Sequence, residues 1–239
     1  PDAKFIFHEN VERLQNAVPG DFAAFLRNKV DFEREPGPLH VREYKPLSDC
    51  GLEATPYFWY SQPQMPNFAL LIREATRIGQ RLPVTLCLLE HGTDGLADSV
   101  HSLREICAGG GAAFVVDLAG MGKYAPYPLS SGRDIYTSLG TVERLAFDLF
   151  FLGDSLCALR LFELERALEV LGTLPGCGDV SLYGRGRAGI LARMLRVLHP
   201  ELPCRTVETP SLRRIALSKY YDDYDLGGYL LPGAARYDI

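Results

Sequence analysis

What this sequence lacks excludes several classes at once. Across its 239 residues no apolar run approaches the ~20 needed to span a bilayer, so no membrane partner is expected. Basic residues are the minority, 25 against 30 acidic, for a net charge of −5. A non-specific nucleic-acid binder needs a basic face to neutralise phosphates, and none is available. Cysteines are few and solitary. Cys50, Cys87, Cys107, Cys157, Cys177 and Cys204 show no C-x-x-C spacing of a zinc or redox site. Several sit in apolar runs (Leu86-Cys87-Leu88, Leu156-Cys157-Ala158), where cysteine behaves as a small core residue. Buried free thiols in a reducing cytoplasm are expected rather than a disulfide framework. No internal repeat or low-complexity tract is present, and nothing calls for a metal or cofactor. The opening Pro1-Asp2-Ala3-Lys4 has neither an initiator Met nor signal-peptide architecture, so the sequence is expected to start after trimming or inside a longer chain.

What is present is ordinary for a globular protein: 47% hydrophobic and 23% charged residues, enough for one large domain or two small ones. The first 50 residues read as a helical or irregular segment. Val11–Val18 and Asp21–Val30 suit short amphipathic helices, the second N-capped by Asp21 after Pro19-Gly20. Glu35-Pro36-Gly37-Pro38 is a breaker. His40–Tyr44, Thr55–Ser61 and Asn67–Glu74 read as strands of an antiparallel lead-in to a domain covering 51–239.

From Leu82 the rhythm becomes strand, loop, helix, strand. Pro83–Glu90 and Ala112–Asp117 are continuous apolar runs of strand length, as in a parallel sheet buried on both faces. Leu96–Cys107 reads as a helix ended by Gly109-Gly110-Gly111. Leu145–Leu171 is helical with a break near Gly153. Asp179–Tyr183 is a strand, Ile190–His199 a helix and Pro203–Glu208 a strand. This alternation predicts an α/β three-layer sandwich on a mostly parallel sheet.

Gly184-Arg185-Gly186-Arg187-Ala188-Gly189 follows a strand and opens a helix, and it has two physical readings. As G-x-G-x-x-G it is the dinucleotide turn, where glycines let a pyrophosphate approach a helix N-terminus, with Glu208 about 20 residues on as the ribose acid. Element order opposes this: such a turn normally follows the first sheet strand, whereas two strands precede this one. As a G-x-S-x-G nucleophile elbow, Gly184, Ala188 and Gly189 fill the small positions and Gly186 takes the place of the serine. Glycine supplies the sharp turn and no nucleophile.

The upstream segments favour the elbow. Leu89-Glu90-His91-Gly92 ends the first buried strand in the manner of an α/β-hydrolase oxyanion loop, with His91 and Gly92 as its candidates. Asp117-Leu118-Ala119-Gly120-Met121-Gly122 is similar to the hydrolase D-x-x-G-x-G turn. Gly132-Arg133-Asp134-Ile135-Tyr136, Leu152-Gly153-Asp154-Ser155-Leu156 and Arg160–Leu168 resemble the excursion before the elbow. Residues 82–239 thus resemble the α/β-hydrolase superfamily, in its acetylxylan-esterase-like and dienelactone-hydrolase-like branch.

That resemblance implies a Ser–acid–His triad, which this chain does not supply. The family places its acid after the sixth or seventh strand and its histidine after the eighth. Pro203–Glu208 would be the sixth, and the last strands are expected to be absent. Glu208 is the one candidate acid, although a loop carboxylate is the plainer reading. None of His8, His40, His91, His101 or His199 falls at the base position, and His199 reads as a helix-end residue favoured by the macrodipole. Asp98-Ser99-Val100-His101-Ser102 reads as a solvated helix face, because adjacent helix positions do not face one another. Asp117 reads as a structural residue of its turn. Arg185 and Arg187 flank a helix N-terminus, an anion-binding arrangement or simply two exposed arginines. Tyr220-Tyr221-Asp222-Asp223-Tyr224-Asp225 suits a surface loop more than a calcium or glycan contact.

The expected protein is therefore a catalytically inactive or incomplete α/β-hydrolase-like module for binding or structure. A carboxylic-ester hydrolase with unplaced catalytic residues and a dinucleotide-binding protein are the alternatives. The bare edge expected at 203–208 calls for a second copy, a missing partner or domain, or a strand Lys4–His8 folding back to cap it.

Overall fold

The computed structural model describes residues 3–126, 140–213 and 227–237. It opens with two helices, α1 (Ala3–Asn16) and α2 (Phe22–Val30). The Asp21 carboxylate caps α2, accepting the Ala24 N–H at 3.1 Å. Lys4–His8 lies within α1 and is not a strand. Residues 3–16 hold no glycine or proline, and Glu9, Glu12, Arg13, Leu14 and Gln15 favour helix over an isolated extended segment.

Strands β1 (Arg42–Glu43), β2 (Leu47–Asp49), β3 (Leu52–Gln62) and β4 (Met65–Glu74) follow. β3 buries every second residue from Glu53 to Ser61, the period-2 signature of a strand with one face inward. The chain continues as β5 (Leu82–Leu88), α3 (Leu96–Ala108), β6 (Ala112–Asp117), α4 (Thr141–Phe151), α5 (Leu156–Thr173), β7 (Cys177–Arg185), α6 (Ala188–Leu198) and β8 (Cys204–Val207). The break near Gly153 separates α4 from α5, and the Ser155 hydroxyl restarts the helix by accepting the Ala158 N–H.

All eight strands join one sheet, in the order β1-β3-β4-β6-β5-β7-β8 with β2 also on β3. The β1/β3, β3/β4 and β4/β6 pairs are antiparallel, whereas β6, β5, β7 and β8 run parallel. Among the described residues β8 closes the sheet on that side. Helix α3 covers one face, setting Leu103 and Cys107 against Cys87, Val115 and Tyr183. Helices α2, α5 and α6 cover the other, where Leu26, Leu161, Leu164 and Leu195 meet Trp59, Leu86 and Phe114. Each such leucine, removed from water, contributes about 1.5–3 kcal/mol. The result is a three-layer α/β sandwich.

Four cysteines are buried, Cys204 is half-buried and Cys50 is exposed; all are free. Burial pushes the thiols of Cys87 and Cys157 up, the latter to about 12. No described helix is long and apolar enough to cross a membrane. Gly132–Tyr136 and Tyr220–Asp225 lie outside the described residues.

Candidate functional site

From β5 the chain moves one way to β6 and later returns to β7 on the other side of β5. A crevice opens at the carboxyl ends of parallel strands where the order reverses in this way, and ligands bind there in open α/β sheets. Two segments singled out by sequence meet at that point: Glu90-His91-Gly92 after β5 and Gly184–Gly189 after β7.

The second segment has elbow geometry. β7 ends at Arg185, α6 begins at Ala188, and Gly186 between them takes φ +60°. The turn is pinned by Gly186 N–H to Val207 O at 2.9 Å and Gly189 N–H to Gly186 O at 3.1 Å. Close crossing of strand and helix requires the flanking glycines. A Cβ on Gly184 would stand 2.5 Å from the Gly189 Cα and 2.9 Å from the Ala192 Cβ.

At the tip, where a nucleophile would project, stands the carboxylate of Glu90. A Cβ on Gly186 would collide with it. Glu90 Oε1 accepts the Arg187 backbone N–H at 2.5 Å, and Oε2 lies 3.2 Å from the Arg187 guanidinium. In an elbow, the N–H of the residue after the nucleophile is one of the oxyanion donors; here that residue is Arg187. Burial alone would raise the Glu90 carboxyl, but the two Arg187 hydrogen bonds and its charge outweigh burial and hold it below the usual glutamate value.

Asp117 is fully buried and ties together the two loops beside the elbow. It accepts from Thr93 N–H (2.6 Å), the Thr93 hydroxyl (2.8 Å) and Lys123 N–H (2.9 Å). Burial raises its carboxyl, against the pull of those bonds. Asp117 is thus the structural residue expected, and its reach extends to the His-Gly loop as well as its own turn.

A cleft of about 410 Å³ opens beside the elbow, lined among others by Glu90, His91, Ser99, Arg185, Gly186 and Glu208. His91 is exposed and Gly92 buried. Arg185 pairs with Glu208 at 3.3 Å and also donates to the Asp98 carbonyl. Both arginines of the turn therefore face carboxylates of the chain itself. Glu208 is exposed, with φ +53°, a backbone region uncommon for a side-chain-bearing residue. Ser99 is buried against the cleft, so the solvated face of α3 is carried by Asp98, Val100 and His101, with His101 Nε2 3.2 Å from Glu105. His199 ends α6 between Glu165 (3.1 Å) and Glu201 (3.4 Å), remote from the cleft lining. Among the described residues, no group of three or more His, Cys, Asp or Glu is arranged to hold a metal ion.

Sequence reading assigned no role to Glu90, Arg160, Glu163 or Tyr229. The segment 227–237 packs behind the elbow, where the Tyr229 hydroxyl donates to the Glu90 carbonyl at 3.1 Å. The Arg160 guanidinium lies over the Tyr229 ring at 5.1 Å and that of Arg187 at 5.9 Å. The available signal for Glu90 was a carboxylate closing an otherwise apolar strand run. For Arg160 and Glu163 it was two charges inside the leucine-rich stripe of α5.

The strand order with its switch point, the elbow after β7 and the His-Gly loop after β5 define an α/β-hydrolase-like fold. Solved esterases share it. A Bacteroides fragilis protein assigned as an acetyl xylan esterase superposes with a TM-score of 0.56 at 14% identity, over 79% of this chain and 51% of its own. The acetyl xylan esterase of Paenibacillus sp. R4 gives 0.51 at 17% identity, over 80% and 61%. Methylesterase BT1017 gives 0.55 at 10% identity, over 82% and 40%. The chain thus spans about half the length of the first of these and under two thirds of the others. By sequence alone, no family profile and no curated protein matches.

Proposed function

We propose that this chain is a non-hydrolysing α/β-hydrolase-like module, binding or structural in role, that keeps the elbow and fills it from within. The observation that carries the reading is the Glu90 carboxylate, which takes both the nucleophile's space at Gly186 and the Arg187 N–H. A substrate carbonyl would have to displace a half-buried, hydrogen-bonded carboxylate and would then meet no attacking oxygen. The adjoining cleft is left for binding. Its Glu208, Arg185, Ser99 and His91 offer acceptors and donors suited to a hydroxylated ligand such as an esterified sugar chain, the substrate class named for the acetyl xylan esterases of like fold.

The second reading, a working carboxylic-ester hydrolase with catalytic groups elsewhere, draws on the esterase names of those structures. One assay separates the two. Turnover of p-nitrophenyl acetate by the wild-type chain should not exceed that of a Glu90→Ala, Gly186→Ala double variant, and both should stay near the uncatalysed rate. Rapid wild-type turnover overturns the module reading and supports the hydrolase.

A further inference from the structure

The β3–β4 hairpin carries rings on both of its faces. Tyr57, Trp59, Asn67 and Ala69 point inward and are buried. On the opposite face, Leu52, Ala54 and Leu70 pack into the cluster that α3 closes. Farther along that same face stand Phe58, Tyr60 and Phe68. They are half-buried, and they join neither hydrophobic core cluster. Phe58 and Tyr60 meet edge to face at 5.2 Å between centroids, and the His40 ring stands edge-on to Tyr60 at 6.4 Å.

Strand register extends this row of rings on both sides. Phe58 lies opposite Phe68, Phe68 opposite Asp117 at the end of β6, and Phe58 opposite Arg42 of β1. Paired residues share a face, so Arg42 stands with the rings. Its neighbour Glu43 turns inward and accepts the Tyr57 hydroxyl at 2.7 Å. Tyr44, whose N–H donates to Pro56 O at 2.9 Å, returns to the side of Arg42 and is 51% exposed. Tyr124, in the turn after β6, lies within electrostatic reach of the Tyr44 and Tyr60 phenols. The two charges of the row differ in setting. Asp117 is engaged by Thr93 and Lys123, whereas the Arg42 guanidinium is exposed and makes no ion pair or hydrogen bond among the described residues.

We propose that this face is a binding platform for an acidic sugar chain, with pyranose rings lying on Phe58, Tyr60 and Phe68 and a uronate carboxylate on Arg42. An aromatic face is negative at its centre and attracts the polarised C–H groups of a sugar ring. Phenol hydroxyls at the margin match sugar hydroxyls, and a guanidinium takes a carboxylate with two parallel hydrogen bonds. Charge selects this occupant over two others. A second copy would bring the same row, which holds no free carboxylate for Arg42. A nucleic acid would need several cations for its phosphates. The platform shares no lining residue with the cleft, and the inference does not depend on what the cleft or the elbow does.

Isothermal titration of the intact chain tests it with three probes: an oligogalacturonate, a neutral xylo-oligosaccharide of equal length and an oligouridylate. The oligogalacturonate should bind most tightly. Tyr60→Ala, Phe68→Ala and Tyr44→Ala should each weaken it several-fold, and Arg42→Gln should weaken it about tenfold, towards the neutral probe. Arg185→Ala, in the cleft, should leave it unchanged. No binding of the oligogalacturonate overturns the platform, as does equal affinity for the oligouridylate. A loss in Arg185→Ala without loss in the platform variants also overturns it, by placing the ligand in the cleft. If Phe68→Ala fails to fold, the exposed positions Arg42 and Tyr44 decide.

Discussion

Gly186 and Glu90 constrain each other, and the consequences are measurable at single residues. Restoring a nucleophile by Gly186→Ser places a side chain at φ +60° and drives its Cβ into the Glu90 carboxylate. The left-handed backbone costs about 1–2 kcal/mol. Displacing Glu90 from the Arg187 N–H adds about 1–3 kcal/mol for an unpaired polar group. Gly186→Ser should therefore lose stability by about 2–5 kcal/mol in denaturant melts and gain no esterase activity. A variant as stable as wild type would mean that Glu90 is not held where it is described. The same pair has a pH signature. Because the Glu90 carboxyl is depressed, its stabilising contribution is present above the ordinary glutamate value and lost as pH falls through the lower folded one. Glu90→Gln should flatten the acid limb of the stability–pH curve below about 4.5; an unchanged limb would dismiss the contribution.

At the scale of elements, β8 is one edge of the sheet among the described residues. It pairs with β7 on one side only among the described residues, and Arg205 and Glu208 stand exposed at its ends. Of the three ways of covering this edge, a strand Lys4–His8 is ruled out, since those residues are helical. A short strand bearing charges is partly protected against edge pairing, yet its main-chain groups remain a template. Beside it a second cleft of about 400 Å³ is lined by Thr85, Ser102, Tyr183 and Arg205. We propose that this edge is covered by a second copy or by a further domain. The self-pairing case is tested by sedimentation across a concentration series. Association that weakens on Thr206→Pro, which removes a strand N–H, supports it. A monomer at all concentrations excludes self-pairing and leaves the further domain.

At the scale of the whole molecule, the dinucleotide alternative and the elbow place different groups at the N-terminus of α6. The Glu90 carboxylate already takes the Arg187 N–H there, so a pyrophosphate would have to displace an anion of like charge. NAD and NADP should leave the melting temperature unchanged, whereas a real site at 100-fold its Kd would add about 2.7 kcal/mol. A clear shift would restore the nucleotide reading.

The strands and helices were largely legible because they rest on local signals. Ala112–Asp117 is a strand over the span its apolar run marked, Asp21 caps the helix it announced, and Gly153 falls at the break between α4 and α5. The sharp strand-to-helix turn after β7 was legible because glycine spacing encodes backbone curvature, a property of neighbours in the chain. The occupant of that turn was not. Glu90 reaches Arg187 across 97 positions of sequence, and Arg160 reaches Gly228 across 68. Such long-range contacts of charged side chains carry no periodicity. Glycine at 186 already ruled out a nucleophile there; only the folded sheet, by bringing the ends of β5 and β7 side by side, decides that the Glu90 carboxylate fills the turn.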